Sequence, residues 1–192
     1  MTAHPETSII PFNGRTPVIH PSAFIAPGCR IIGDVEIGED ASIWYNCVIR
    51  GDVNHVRIGA RTNIQDGTVV HCDSAGDRAD GRPADGWPTI IGEDVLIDHM
   101  AMIHGCVLHD RAFVGLGAIV MSGCTVESDA MLAAGAMLTS GKTLAHRQLW
   151  AGRPAKYVRD LSDEALIDMR EGVDHYVHNA KAHKGAVKAA YE

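Results

Sequence analysis

Isoleucine returns at every sixth position near the start of the chain: Ile19, Ile25, Ile31, Ile37, Ile43 and Ile49. An amphipathic helix repeats near 3.6 residues and a half-buried strand near 2, so neither accounts for a spacing of six. A coil with flat faces does. Each hexapeptide supplies one short strand and a bend, and three of them make a turn of about 18 residues with the aliphatic side chain pointing inward. The beat resumes in a new phase at Ile58, Ile64 and Val70, and again at Ile91, Ile97 and Ile103. It then runs through Leu108, Val114, Val120, Val126, Leu132 and Leu138. Glycine often follows the aliphatic (Gly38, Gly59, Gly92, Gly115), where close backbone approach needs it. The pattern predicts an all-β chain, a parallel β-helix over residues 17–150. A β-sandwich would show period-two alternation and Asn-Gly hairpins, and neither is prominent.

The flanks break the beat. Residues 1–16 read as an irregular lead-in with Pro5, Pro11 and Gly14. Residues 72–89, rich in Asp, Gly and Pro, read as a surface loop inserted into the coil. Residues 151–192 read as a linker and a C-terminal α-helix. From Ser162 the apolar positions Leu166, Met169, Val173, Val177 and Ala180 take helical spacing, with Asp160 or Ser162 as the cap. Gly172 weakens this helix by about 1 kcal/mol relative to alanine. The helix is expected on the outside of the coil or over one end, because an open β-helix leaves unpaired edges.

A length of 192 residues fits one domain. The formal net charge of −7 excludes the basic footprint of a nucleic-acid binder. No apolar run approaches the roughly 18 residues of a membrane span, and the N-terminus shows no secretory pattern. The five cysteines include no C-x-x-C pair and read as reduced core residues of a cytoplasmic protein.

Register gives three of the eleven histidines a shared meaning. His4, His20, His146 and His183 fall at ends or in loops and are expected to be solvated. His71 follows Val70 as His104 follows Ile103, and their separation of 33 is one 18-residue turn plus 15 residues absorbed by the insertion. They should stack on neighbouring turns about 4.8 Å apart, within reach of one ion. His99 lies two residues past Ile97, on the preceding face, pointing elsewhere. Packing around a threefold axis would let His99 of one chain meet His71 and His104 of the next. Three histidines and an open fourth position are the donor set of a catalytic zinc. Arg50 occupies the same column one turn below, and Asp52 is placed to pair with it or with a neighbouring chain. Gln65 and Asp98 also stack, and Gln65 is polar without competing for metal. Asp66 is a candidate acceptor for a ring nitrogen not on the ion.

Arg50-Gly51-Asp52, Asn63-Ile64-Gln65-Asp66, His71 and His99-x-x-x-x-His104-Gly105 together resemble the γ-class carbonic anhydrases, from about Ile19 through the C-terminal helix. The resemblance implies a left-handed β-helix, a homotrimer, and zinc (or ferrous iron or cobalt) held by His71 and His104 of one subunit and His99 of its neighbour. It implies reversible hydration of carbon dioxide to bicarbonate and a proton. Gln65 would orient the reacting water, Asn63 would place carbon dioxide or bicarbonate, and Arg50 and Asp52 would pair across subunits. Tyr176 resembles a tyrosine that reaches the metal pocket. Three departures bear on proton transfer. Val53 stands where the best-studied members carry glutamate. The inserted loop holds Asp73, Asp77, Asp80 and Asp85 but no Glu, and Asp98 replaces a usual Gly. Hydrolysis of a small thioester and a non-catalytic metal-stabilised trimer are the alternatives. An acyltransferase is a weaker one, since those proteins usually lack the three histidines.

Overall fold

The computed structural model of the chain describes residues 7–76 and 83–191. The inward aliphatics form three columns, one per face of a triangular coil. Face one stacks Ile19, Ile37, Ile58, Ile91, Leu108, Val126 and Leu144. Face two stacks Ile25, Ile43, Ile64, Ile97, Val114 and Leu132. Face three stacks Ile31, Ile49, Val70, Ile103, Val120 and Leu138. Pairing along each column is parallel, as the six-residue beat requires, and the coil is the expected left-handed β-helix. Faces one and three merge into one twelve-stranded sheet because the long strands Arg30–Ile37 and Val48–Ile58 continue around their shared corner. The five cysteines are free and buried, as expected.

Two flanking segments are more regular than their composition suggests. Within the lead-in, Ser8–Ile10 already pairs in parallel with Arg30–Ile32, so pairing starts ahead of residue 17. In the linker, Lys156–Asp160 turns back antiparallel on Gln148–Ala151. Gly152, at φ +94°, supplies the left-handed conformation this reversal uses. Asp77 and Asp80 of the inserted loop, and His4, lie outside the described residues.

The C-terminal helix α1 (Asp163–Tyr191) lies along the outside of face two. Ser162 Oγ accepts from the Ala165 amide at 3.3 Å, and Asp163 and Glu164 place negative charge at the positive end of the helix dipole. The predicted apolar stripe is buried: Leu166 and Met169 join one cluster with Leu161, and Val173 and Val177 join another with Leu96. Gly172 has a packing reason to be there, since a Cβ would come within 3.1 Å of Leu96 Cδ1. At the far end His183 is half-buried rather than solvated. It packs against Phe24, Trp44 and Tyr45, and its Nδ1 lies 2.9 Å from the Tyr45 hydroxyl. Neighbouring Lys184 donates to the carbonyls of Pro21, Ser22 and Ala23. The helix therefore spans the coil from its last turns to its first. No helix among the described residues is long and apolar enough to cross a membrane.

Asp129 is the buried acid of this scaffold, 6% exposed, and accepts two hydrogen bonds of 2.9 Å from Arg111. Those bonds hold its carboxyl below the usual carboxylate range despite burial, which acts in the opposite sense. A depressed folded pKa contributes stability above the unfolded value of about 3.9, and that stability is lost as pH falls through the folded value. Asp129→Asn is expected to destabilise the protein by roughly 1–3 kcal/mol at neutral pH. Denaturant unfolding at pH 7 and near pH 3 checks this: the gap between the two proteins should narrow in acid.

Candidate metal centre

Strands Val69–His71 and Met102–His104 lie in register, so His71 and His104 face one another on adjacent turns with Arg50 on the turn before. Their ring centroids are 5.1 Å apart, and His71 Nδ1 lies 3.1 Å from His104 Nε2. Each outer nitrogen has its own partner. His71 Nε2 is 2.9 Å from Asp52 Oδ1, and His104 Nδ1 is 2.9 Å from Ser122 Oγ. The other oxygen of Asp52 accepts from Arg50 Nη1 at 2.5 Å, so the pair that the resemblance implies between subunits is made here within one chain. Burial would raise the Asp52 carboxyl, but the bonds from His71 and Arg50 outweigh it and hold the group below its ordinary range. An ionised carboxylate only accepts, so Nε2 of His71 is the donor in that contact and Nδ1 is the nitrogen turned toward His104.

These residues fit a divalent ion. Two nitrogens each about 2.0–2.1 Å from a tetrahedral ion lie roughly 3.3 Å apart. The pair here needs a shift of only a few tenths of an ångström from its 3.1 Å separation. Fixing a ligand histidine through its second nitrogen is the usual support of a metal site. Ser122 was not singled out from the sequence, although it lies 18 residues, one full turn, beyond His104.

His99 belongs to a second group, on the corner beyond face two. Its Nδ1 lies 2.9 Å from Asp66 Oδ2, the acceptor expected for a ring nitrogen, which leaves Nε2 for another partner. A single chain does not bring His99 into the His71–His104 pair. Among the described residues, the one set of three possible ligands with donor atoms within 4.8 Å of one another is Asp52, His71 and Cys72. Cys72 suits metal poorly there, because burial raises its thiol and disfavours the thiolate.

Asn63 and Gln65 flank inward-pointing Ile64 and so project outward, toward α1, yet both are fully buried. Gln65 Nε2 donates to Asn63 Oδ1 at 3.1 Å, while Asn63 Nδ2 and Gln65 Oε1 have no protein partner. A buried unsatisfied polar atom costs about 1–3 kcal/mol. One donor and one acceptor left over side by side are suited to a small polar molecule. Asp98 follows on the next turn, its carboxyl raised by burial against opposing contributions from His99 and Gln65. Tyr176 stands edge-on to Trp44 with centroids 5.4 Å apart. Its phenol is raised by burial and then by the charges of Asp98 and Asp66.

The inserted loop ends beside the histidine pair. Asn54 Nδ2 closes its stem by donating to the carbonyls of Asp73 (3.0 Å) and Asp85 (2.8 Å). Trp87 then covers Gly105 and Gly123, where added Cβ atoms would come within 3.0 and 3.2 Å of it. Trp87, Met102, His104, Met121 and Ser122 share an open groove of about 640 Å³.

Comparison with known proteins agrees with this architecture. The family model described as bacterial transferase hexapeptide (six repeats) matches residues 16–51. A solved hexapeptide transferase family protein from Anaplasma phagocytophilum is 43% identical, with a TM-score of 0.81 over 90% of this chain and 96% of that one. Gamma carbonic anhydrase 2, mitochondrial, of Arabidopsis thaliana is 40% identical over 93% of this chain, which spans 62% of that relative's length. Carbonic anhydrase of Geobacillus kaustophilus is also 40% identical, over 92% of this chain and 91% of its own. Similarity of that extent, on a six-residue coil, makes this chain a member of the γ-carbonic anhydrase family of hexapeptide-repeat proteins.

Proposed function

We propose that the protein is a metal-dependent carbonic anhydrase that interconverts carbon dioxide and bicarbonate at sites shared between copies in a homotrimer. The observation that carries this reading is the facing pair of ring nitrogens on His71 and His104, 3.1 Å apart, with Asp52 and Ser122 fixing the outer nitrogens. His99, held by Asp66, is the third ligand and comes from the adjacent copy. The apolar side chains between the two half-sites support such packing: Met100 is 68% exposed and Leu116 52%. Zinc, ferrous iron or cobalt suits imidazole ligands. Bound there, the ion supplies a Lewis acid that lowers the pKa of water, an effect whose standard example is carbonic anhydrase itself.

The chain's own residues do the rest. Asp52, Ser122 and Asp66 fix the orientation of the three imidazoles. The unpartnered Oε1 of Gln65 accepts a hydrogen from the reacting water and so aims its lone pair. The unpartnered Nδ2 of Asn63 donates to an oxygen of carbon dioxide or of the bicarbonate formed. Tyr176 and Trp44 close the helix side and limit bulk water. The cytoplasm is the proposed location, in keeping with five free buried cysteines.

Hydrolysis of a small thioester is the second reading. It uses the same site with an acyl carbon as the electrophile, and on the single chain a groove of about 640 Å³ lies open beside His104. Stopped-flow hydration of carbon dioxide by protein loaded with zinc, or anaerobically with iron, separates the two. Turnover of carbon dioxide supports the first. Silence from about pH 7 to 9, with coenzyme A esters consumed by the same preparation, would overturn it.

A further inference from the structure

The corner between faces one and two carries a charged residue three positions after the face-one aliphatic on six successive turns. They are Asp40, Arg61, Asp94, Arg111, Asp129 and Arg147, and they alternate in sign without exception. All six have left-handed backbone, with φ between +51° and +61°. That conformation favours glycine and tolerates Asp, but disfavours Arg. The next corner, between faces two and three, places Gly28, Gly67, Gly117 and Gly135 at the same step, so a charge is not what the bend itself asks for.

The helix answers the ladder charge for charge. Asp163 pairs with Arg147, Arg170 with Asp129 (3.8 Å), Asp174 with Arg61 (2.5 Å) and Lys181 with Asp40 (3.5 Å). The two rungs between, Asp94 and Arg111, pair within the coil instead, with Arg61 and Asp129. The periodicity of the apolar stripe alone specifies the position of α1 along the coil only weakly, although Gly172 against Leu96 and His183 on Tyr45 also favour the observed one. The stripe repeats every three or four residues, one turn is about 5.4 Å, and coil rungs are about 4.8 Å apart. A slip of one turn therefore lays a new apolar residue close to where the last one sat. The charges oppose that slip, each exposed pair weakly but all in the same sense. One rung toward the start of the coil sets Asp174 on Asp40, Arg170 on Arg111 and Asp163 on Asp129. One rung the other way sets Asp174 on Asp94, Arg170 on Arg147 and Lys181 on Arg61. Each of these six displaced contacts is between like charges, and the outermost helix charge, Lys181 or Asp163, loses its partner off the end of the ladder.

We infer that this ladder helps set the axial register of α1, making Arg61, Asp129 and their helix partners positioning residues for Tyr176 against Trp44. The register stands independently of any reaction; only the service of Tyr176 to the metal centre rests on the catalytic reading. Fluorine NMR of protein labelled with 3-fluorotyrosine tests it, with the Tyr176 line identified from Tyr176→Phe. Asp174→Arg sets Arg against Arg61 and is expected to shift or split the Tyr176 line. The exchanged pair Arg61→Asp/Asp174→Arg keeps one cation between two carboxylates, since Arg at 174 then faces both 61 and Asp94, and should return the line to its wild-type position. If Asp174→Arg undocks α1 outright, recovery in the exchanged pair still decides the matter. A line unmoved by the single reversal, or not recovered in the exchanged pair while circular dichroism shows α1 formed, overturns the inference. Recovery of the line without carbon dioxide hydration in any of these proteins would uphold the register and count against the catalytic reading alone.

Discussion

Replacing His71 with alanine is expected to take the protein from about one metal ion per chain to almost none, and to abolish carbon dioxide hydration with it. His71 supplies one of two facing nitrogens, and its loss leaves His104 as the single imidazole on that half-site. Structural zinc sites with four protein ligands hold the ion by about 10–16 kcal/mol, so one ligand carries roughly 3–4 kcal/mol, a factor of about 10²–10³ in affinity. Asp52→Asn should act less strongly. It keeps an oxygen near His71 Nε2 but removes the charge that fixes the tautomer, and losses of about 10–100-fold are usual for such partners. Metal analysis of dialysed protein, with mass determination of the assembly, gives the order directly. Full occupancy in His71→Ala would refute the ligand assignment, and unchanged metal affinity in Asp52→Asn would remove Asp52 from its supporting role.

Legibility of the fold followed from the period. A spacing of six has one structural solution with an inward aliphatic at each step, so the columns through Ile43, Ile49 and Ile58 could be drawn before any coordinates. The His71–His104 pairing followed from the same counting, because both sit one residue past a column member. What escaped depended on contacts the period does not encode. Ser122 is a common residue type and acquires meaning only when it is counted one turn beyond His104. Ser8–Ile10 was hidden by its Pro- and Gly-bearing surroundings, although its pairing with Arg30–Ile32 extends face three. His183 read as solvated because nothing local places it among Phe24, Trp44 and Tyr45, more than 130 positions away; the helix must first be laid along face two. The charge ladder was present in the sequence throughout, but its alternation appears only when turns are stacked.

Ile97→Ala should be the most destabilising single change in the coil near the candidate site. Ile97 is fully buried between Ile64 and Val114 in the face-two column. Cutting isoleucine to alanine in a packed core costs about 2–5 kcal/mol, against about 0.5–1.5 for Ile97→Val. For a chain of this size each kcal/mol lowers the melting temperature by about 2–4 °C, giving a fall of roughly 4–20 °C for the alanine variant. A solenoid turn touches only its neighbours, so the position in the stack sets the effect. Ile97 loosens contacts on both sides, whereas Leu144, paired only with Val126 in its column, loosens one, and Leu144→Ala should cost less. The residues next in the chain are Asp98 and His99, so the weakened rung is the one that holds the proposed third ligand, and on that proposal metal affinity should fall together with stability. Thermal unfolding followed by circular dichroism, repeated with and without metal, measures both. A melting temperature within a degree or two of wild type for Ile97→Ala would mean that neighbouring turns close over the missing side chain, and that stacked aliphatics are not what holds this rung in place.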